Sequence, residues 1–170
     1  MGNLILTSSV LMRRNRQRAV GFFDVNLLKS GEDYDFHLRT CRLGDVGYLD
    51  LSSVRYRIGA SDQLTSHDLM IWIARNDLKT LTKVLSGSRE EIHLSNSVIQ
   101  KRLAQSYAWI GMEEFSQGSK NAIWYFLKSL KLSPFQSRVA AFCLLSVLPN
   151  TVTRMLRAMK RIVASVRNHS

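Results

Sequence analysis

Gly31-Glu32-Asp33-Tyr34-Asp35-Phe36-His37-Leu38-Arg39 packs three carboxylates and an arginine into nine residues. Tyr34, Leu38 and Cys41 recur at i, i+4 and i+7, which predicts a helix, with Gly31 in the loop that delivers Glu32 and Asp33 to its N-terminus and Gly44 ending it. Two readings of these charges stay open. In the structural one, Asp33 caps the helix, Glu32 suits the positive end of its dipole, and Asp35 pairs with Arg39 one turn on. In the other, the loop delivers Glu32 and Asp33 as an acid pair to the helix N-terminus, a role that the neighbouring residues decide.

The flanking residues add ordered motifs. Upstream stand Arg13-Arg14 and Val20-Gly21-Phe22-Phe23-Asp24; downstream come Gly47-Tyr48-Leu49-Asp50, Arg55-Tyr56-Arg57 and Leu64-Thr65. Leu4 to Met12, Val46 to Leu49 and Val54 to Ile58 read as short strands, the first of a length that suits a buried one. In the last, Arg55 and Arg57 share one face; guanidinium forks there suit a diphosphate, or equally a charge-protected edge strand.

Taken in order over residues 3–66, these motifs resemble the C-terminal part of a family 2, GT-A type, inverting glycosyltransferase. The resemblance implies an α/β, Rossmann-like nucleotide-sugar transferase fold lacking its N-terminal half, followed by an all-α helical bundle. It implies residues 1–66 as the acceptor-side part of the catalytic domain, 67–149 as the bundle, and 150–170 as a basic amphipathic helix. It further implies transfer of a sugar from a nucleotide-sugar donor to a saccharide or lipid-linked acceptor in cell-surface polysaccharide synthesis. Asp33 matches the family's catalytic base and Glu32 its companion; Asp24, Arg39, Arg55 and Arg57 match substrate-binding positions, although a turn-capping role serves Asp24 as well.

Two departures from the family bear on cofactors. No Asp-x-Asp precedes the Glu-Asp site, and Gly59 stands where many members have a metal-binding His. The family uses divalent Mg or Mn; this chain is expected to hold no metal or cofactor itself and to be inactive alone, as a truncated fragment would be. Nucleotide-sugar and glycan acceptor are then its partners only when a donor-binding half is supplied. The rival expectation is a non-catalytic helical adaptor built on a glycosyltransferase remnant.

Composition sets the class. The chain has 170 residues, 45% hydrophobic and 22% charged, with two prolines, which is the composition of a folded protein. Its net charge of +11 is uneven: residues 1–66 carry 9 basic and 7 acidic side chains, residues 67–170 carry 15 and 6. Such a field favours anionic surfaces. Nucleic acid is not an expected partner, because Trp72, Trp109 and Trp124 sit at helical core spacing and are not interleaved with the basic run. Cys41 and Cys143 read as buried free thiols. The first residues match neither a signal peptide nor a myristoylation site, so the expectation is a cytoplasmic protein.

From Ser66 onward the apolar period becomes helical. Leu69 to Leu85 is stopped by Gly87, Val98 to Ile110 by Gly111, and Ala122 to Leu132 by Ser133-Pro134. Leu103, Tyr107, Gly111, Ala122, Leu130 and Pro134 resemble one tetratricopeptide-type hairpin. Beyond Pro149, five basic residues and no acid flank the stripe Val152, Met155, Leu156, Met159, Ile162, Val163 and Val166. That pattern fits an interfacial helix on anionic lipid at the inner face of the plasma membrane, or a solvated face on a bundle helix.

Overall fold

Among the described residues, six α-helices carry the architecture. The computed structural model describes residues 5–27, 29–55 and 69–148. They fall into two compact units, Met1–Glu91 and Ile92–Ser170.

The first unit holds α1 (Arg14–Val20), α2 (Glu32–Arg42) and α3 (Met70–Ser88). Helix α1 ends where Gly21 turns to φ +87°. Helix α2 starts from Gly31 in the left-handed region at φ +92°, a conformation that a residue with a Cβ rarely adopts. A Cβ there would also come within 3.0 Å of Asn76 Cβ, so Gly31 marks the point where the loop crosses α3. Asn76 fixes the crossing by donating to the Ser30 carbonyl at 2.6 Å. Val20, Leu27, Phe36, Ile71 and Ala74 are buried, and the Phe23 and Phe36 rings stand 4.6 Å apart.

Among the described residues there is no strand, which overturns the α/β, Rossmann-like expectation for residues 1–66. The cause is local in each segment. In the Leu4 to Met12 run, the Ser9 amide and hydroxyl both donate to the Leu6 carbonyl, at 2.9 and 2.7 Å, closing a 3-10 turn over Thr7–Ser9. Short hydroxyl side chains offer the backbone this alternative to a ladder. In Val46 to Leu49 the side chains of Val46, Tyr48 and Leu49 are exposed, and the Leu51 amide bonds back to the Leu49 carbonyl at 2.9 Å. A strand without a neighbour has no partner for its backbone groups, and this tight turn supplies one. Val54 and Arg55 are irregular, and Tyr56 to Ile58 lie outside the described residues.

The second unit holds α4 (Asn96–Ser116), α5 (Ala122–Leu132) and α6 (Ser137–Leu145). Ser95 caps α4, its hydroxyl accepting from the Val98 amide at 3.4 Å. Helix α3 ends at Ser88, one residue past Gly87, whereas the expected stop at Gly111 does not hold and α4 runs on to Ser116. Gly111 instead faces the Phe126 ring, and Ser129 Oγ donates to the Ala104 carbonyl at 2.8 Å. Position 111 opposite 126 and 104 opposite 129 make α4 and α5 an antiparallel pair. Its core is Ala108, Ala122, Phe126, Val139 and Cys143, joined by Phe115 and Phe142 with their rings 5.3 Å apart. This all-α part agrees with the bundle expected there. The tail 150–170 lies outside the described residues.

Candidate functional site

Helix α2 brings the charged motif together with the loop that follows α1. Asp35 is 1% exposed, and its Oδ2 accepts from Arg39 Nε at 2.8 Å, the i, i+4 pair of the structural reading. The same guanidinium donates to the Val20 carbonyl at 2.5 Å and the Phe22 carbonyl at 2.8 Å. Arg39 is thus a staple between α2 and the Val20-Gly21-Phe22-Phe23-Asp24 stretch, and these bonds take up its fork.

Lys83, on α3, closes the network. Its Nζ lies 2.8 Å from Asp24 Oδ2 and 3.5 Å from Asp35 Oδ1. Asp24 Oδ1 also accepts from the Asn26 amide and Nδ2, each at 3.0 Å. The Lys83 ammonium and then the Asn26 amide hold the Asp24 carboxyl down at about 2, against an ordinary 3.8. Reciprocally, the Asp24 carboxylate raises Lys83 above its usual value.

Glu32 and Asp33 are half-buried in the first turn of α2. Asp33 does not occupy the capping position, which Gly31 takes without a side-chain bond. From inside the first turn, Asp33 Oδ1 accepts from the Tyr34 amide at 2.7 Å. His37, 4% exposed, lies 3.4 Å from Thr7 Oγ1; burial lowers its pKa while the Asp33 charge pulls the other way.

The six residues singled out in the sequence therefore sort by place. Asp24 and Arg39 join one network with Asp35, Glu32 and Asp33 start the helix that carries it, Arg55 is exposed on an irregular segment, and Arg57 lies outside the described residues. Lys83 is the member that sequence reasoning missed. Asn76, Thr80 and Lys83 recur at i, i+4 and i+7, but the same helix also carries Arg75, Asp77 and Lys79, so no local signal set Lys83 apart.

Other expectations need correction. Cys41 is exposed, and only Cys143 is buried, where burial pushes its thiol up. Trp124 is 52% exposed and covered by Lys128, whose Nζ stands 3.7 Å from the ring centre; Trp72 is 36% exposed under Lys29 at 4.1 Å. A lysine over each indole face lets these rings sit at the surface despite their helical spacing.

Among the described residues, no group of three His, Cys, Asp or Glu side chains is placed to hold a metal ion, and no helix is long and apolar enough to cross a membrane. No family model, curated protein or solved structure matches the chain.

Proposed function

We propose that residues 1–66 act as the acceptor-side part of an inverting, family 2-type glycosyltransferase. The reading rests on the motifs and their meeting in space, not on an α/β frame. Its main support is Arg39, which belongs to the Leu-Arg motif, pairs with Asp35 of Gly-Glu-Asp-Tyr-Asp and holds two carbonyls of the Val-Gly-Phe-Phe-Asp stretch. Three motifs that were only ordered in sequence are thereby in contact.

Asp33 takes the proton of an acceptor hydroxyl as its oxygen attacks the anomeric carbon, and the nucleoside diphosphate leaves from the opposite face with the bonding pair. Glu32 orients the acceptor. Asp24 and Asp35 pair with Lys83 and Arg39 and shape the support beneath. A donor-binding region with its Mg or Mn ion works alongside, and the transfer serves polysaccharide synthesis on the cytoplasmic side, with the basic tail on anionic lipid.

The test is a fusion to a matching donor-binding domain. Asp33→Asn should lower turnover on the order of 100- to 10,000-fold. Its side-chain oxygen can still accept from the Tyr34 amide, so stability should change by less than about 1 kcal/mol. Glu32→Gln should be milder. A fused enzyme that keeps most of its turnover with Asn at position 33 overturns the assignment.

A second reading, the non-catalytic adaptor, draws on the apolar surface of the second unit, where Phe135 is 101% and Leu127 55% exposed. It forecasts no transfer by the fusion, with or without Asp33.

A further inference from the structure

We propose that residues 150–170, outside the described residues, fold back on α6 and cover its outer face with their apolar stripe. From Val139 to Leu145 helix α6 contains only apolar residues. Its inner side is buried: Val139 and Cys143 share one core cluster with Ala122 and Phe126 of α5, and the Phe142 and Phe126 rings stack 6.1 Å apart. On the opposite side Ala141, Leu144 and Leu148 recur at i, i+3 and i+7, with Leu144 73% and Leu148 41% exposed. A helix that is hydrophobic on every side is a buried helix, so this outer face calls for a covering element.

The chain itself supplies one. The Ser146, Val147 and Leu148 amides bond back to the Phe142, Leu144 and Leu145 carbonyls at 3.0, 3.1 and 3.2 Å, closing the last turn. Pro149 cannot continue the helix, and Asn150 and Thr151 are residue types that start a new one. The link is then Ser146 to Asn150, and a connection that short joins antiparallel neighbours. It also holds the tail beside α6 at an effective concentration of roughly millimolar, which favours the tail over a second copy as the occupant.

Length and sidedness agree. The stripe from Val152 to Val166 covers about 21 Å of helix at ~1.5 Å per residue, whereas α6 covers about 12 Å from Ser137 to Leu145. Running antiparallel, Met155 and Leu156 come to Leu144, and the excess length carries Val163 and Val166 past the start of α6 to Phe135, which is 101% exposed. Arg154, Arg157 and Arg161 fall opposite the stripe at helical spacing, so they face outward. Attraction to anionic lipid then persists as charge alone, with no apolar side chain inserted. The inference rests on neither functional reading, and it removes Phe135 from the surface that the adaptor reading draws on.

Thiol labelling on the full chain tests it. In a Cys41→Ser background, Leu144→Cys should react with dithiobis-nitrobenzoate at least about ten-fold more slowly than Lys101→Cys, an exposed position on α4. Leu156→Asp with Met159→Asp should abolish that protection, whereas Arg157→Asp with Arg161→Asp, the same two acids on the other side, should keep it. Cys143 reports on folding, since its buried thiol should stay unreactive in both double variants. Release of both thiols by Leu156→Asp with Met159→Asp would mean that the stripe holds the unit together, and the milder Leu156→Ala with Met159→Ala should then lower the protection several-fold with Cys143 still silent. Leu144→Cys as reactive as Lys101→Cys, or equal losses in the two acidic double variants, would overturn the proposal. So would protection that fades on dilution, which belongs to a second copy, or protection lost on adding phosphatidylglycerol vesicles, which gives the stripe to lipid.

Discussion

Gly111 and Phe126 approach so closely that a methyl group has no place between them: a Cβ at position 111 would stand 2.7 Å from both Cδ1 and Cε1 of the ring. Phe126 is fully buried, so the ring has no open side to move to. Gly111→Ala should therefore destabilise the second unit by about 1–3 kcal/mol, although the same change at a free helix position is stabilising by ~0.5–1 kcal/mol. Phe126→Leu in that background should recover part of the loss. Urea midpoints of the two single variants and the double variant measure the coupling.

Removing the Arg39 fork should loosen the first unit. Arg39→Met leaves Asp35 buried with only the more distant Lys83 and frees the Val20 and Phe22 carbonyls. The expected loss is about 2–4 kcal/mol, and Arg39→Lys should restore less than half of it, because an ammonium cannot hold three acceptors in a plane. Equilibrium denaturation followed by a reporter in residues 1–91 reads the difference.

The Asp24–Lys83 pair sets an acid limit. The folded Asp24 carboxyl is depressed to about 2 from 3.8, so its contribution is complete above roughly pH 4 and is lost as pH falls through 2. Lys83 is raised, and its share is present below its usual 10.5 and disappears only at higher pH. Melting temperature should fall between pH 4 and 2, and that slope should flatten in Lys83→Met.

His37 adds a second step nearer neutrality. Its folded pKa lies below the ordinary 6.5 because burial favours the uncharged ring, so its contribution is complete above 6.5 and declines as pH falls below that value. Lower melting temperature at pH 5.5 than at 7.5, with the difference reduced in His37→Gln, is the expected result.

Helix α2 was legible because its apolar spacing and its glycines agree, and the Ser95 cap because the helix it opens is long. The strands expected over Leu4 to Met12 and Val46 to Leu49 were misread because period and length describe a single segment, whereas a strand exists only beside another one. Gly111 was misread as a stop since the same residue serves a helix end and a close contact, and only the ring of Phe126 tells which. Asp35 and Arg39 paired at a spacing visible in sequence. The Lys83 bond to Asp24 spans 59 residues, and no local pattern encodes it.

The interior of the first unit is unusually polar: Asp35, His37, Thr40, Asn76, Asp77 and Thr80 are all buried there, while Ala108, Ala122, Phe126, Val139 and Cys143 make the core of the second. Exposing apolar surface raises heat capacity and exposing polar surface lowers it. The second unit should accordingly have the more strongly curved stability profile and lose more of its driving force on cooling, whereas the first should melt with a flatter dependence on temperature and a steeper one on salt and acid. One polypeptide thus carries two different thermometers, and a calorimetric scan at low pH should separate them.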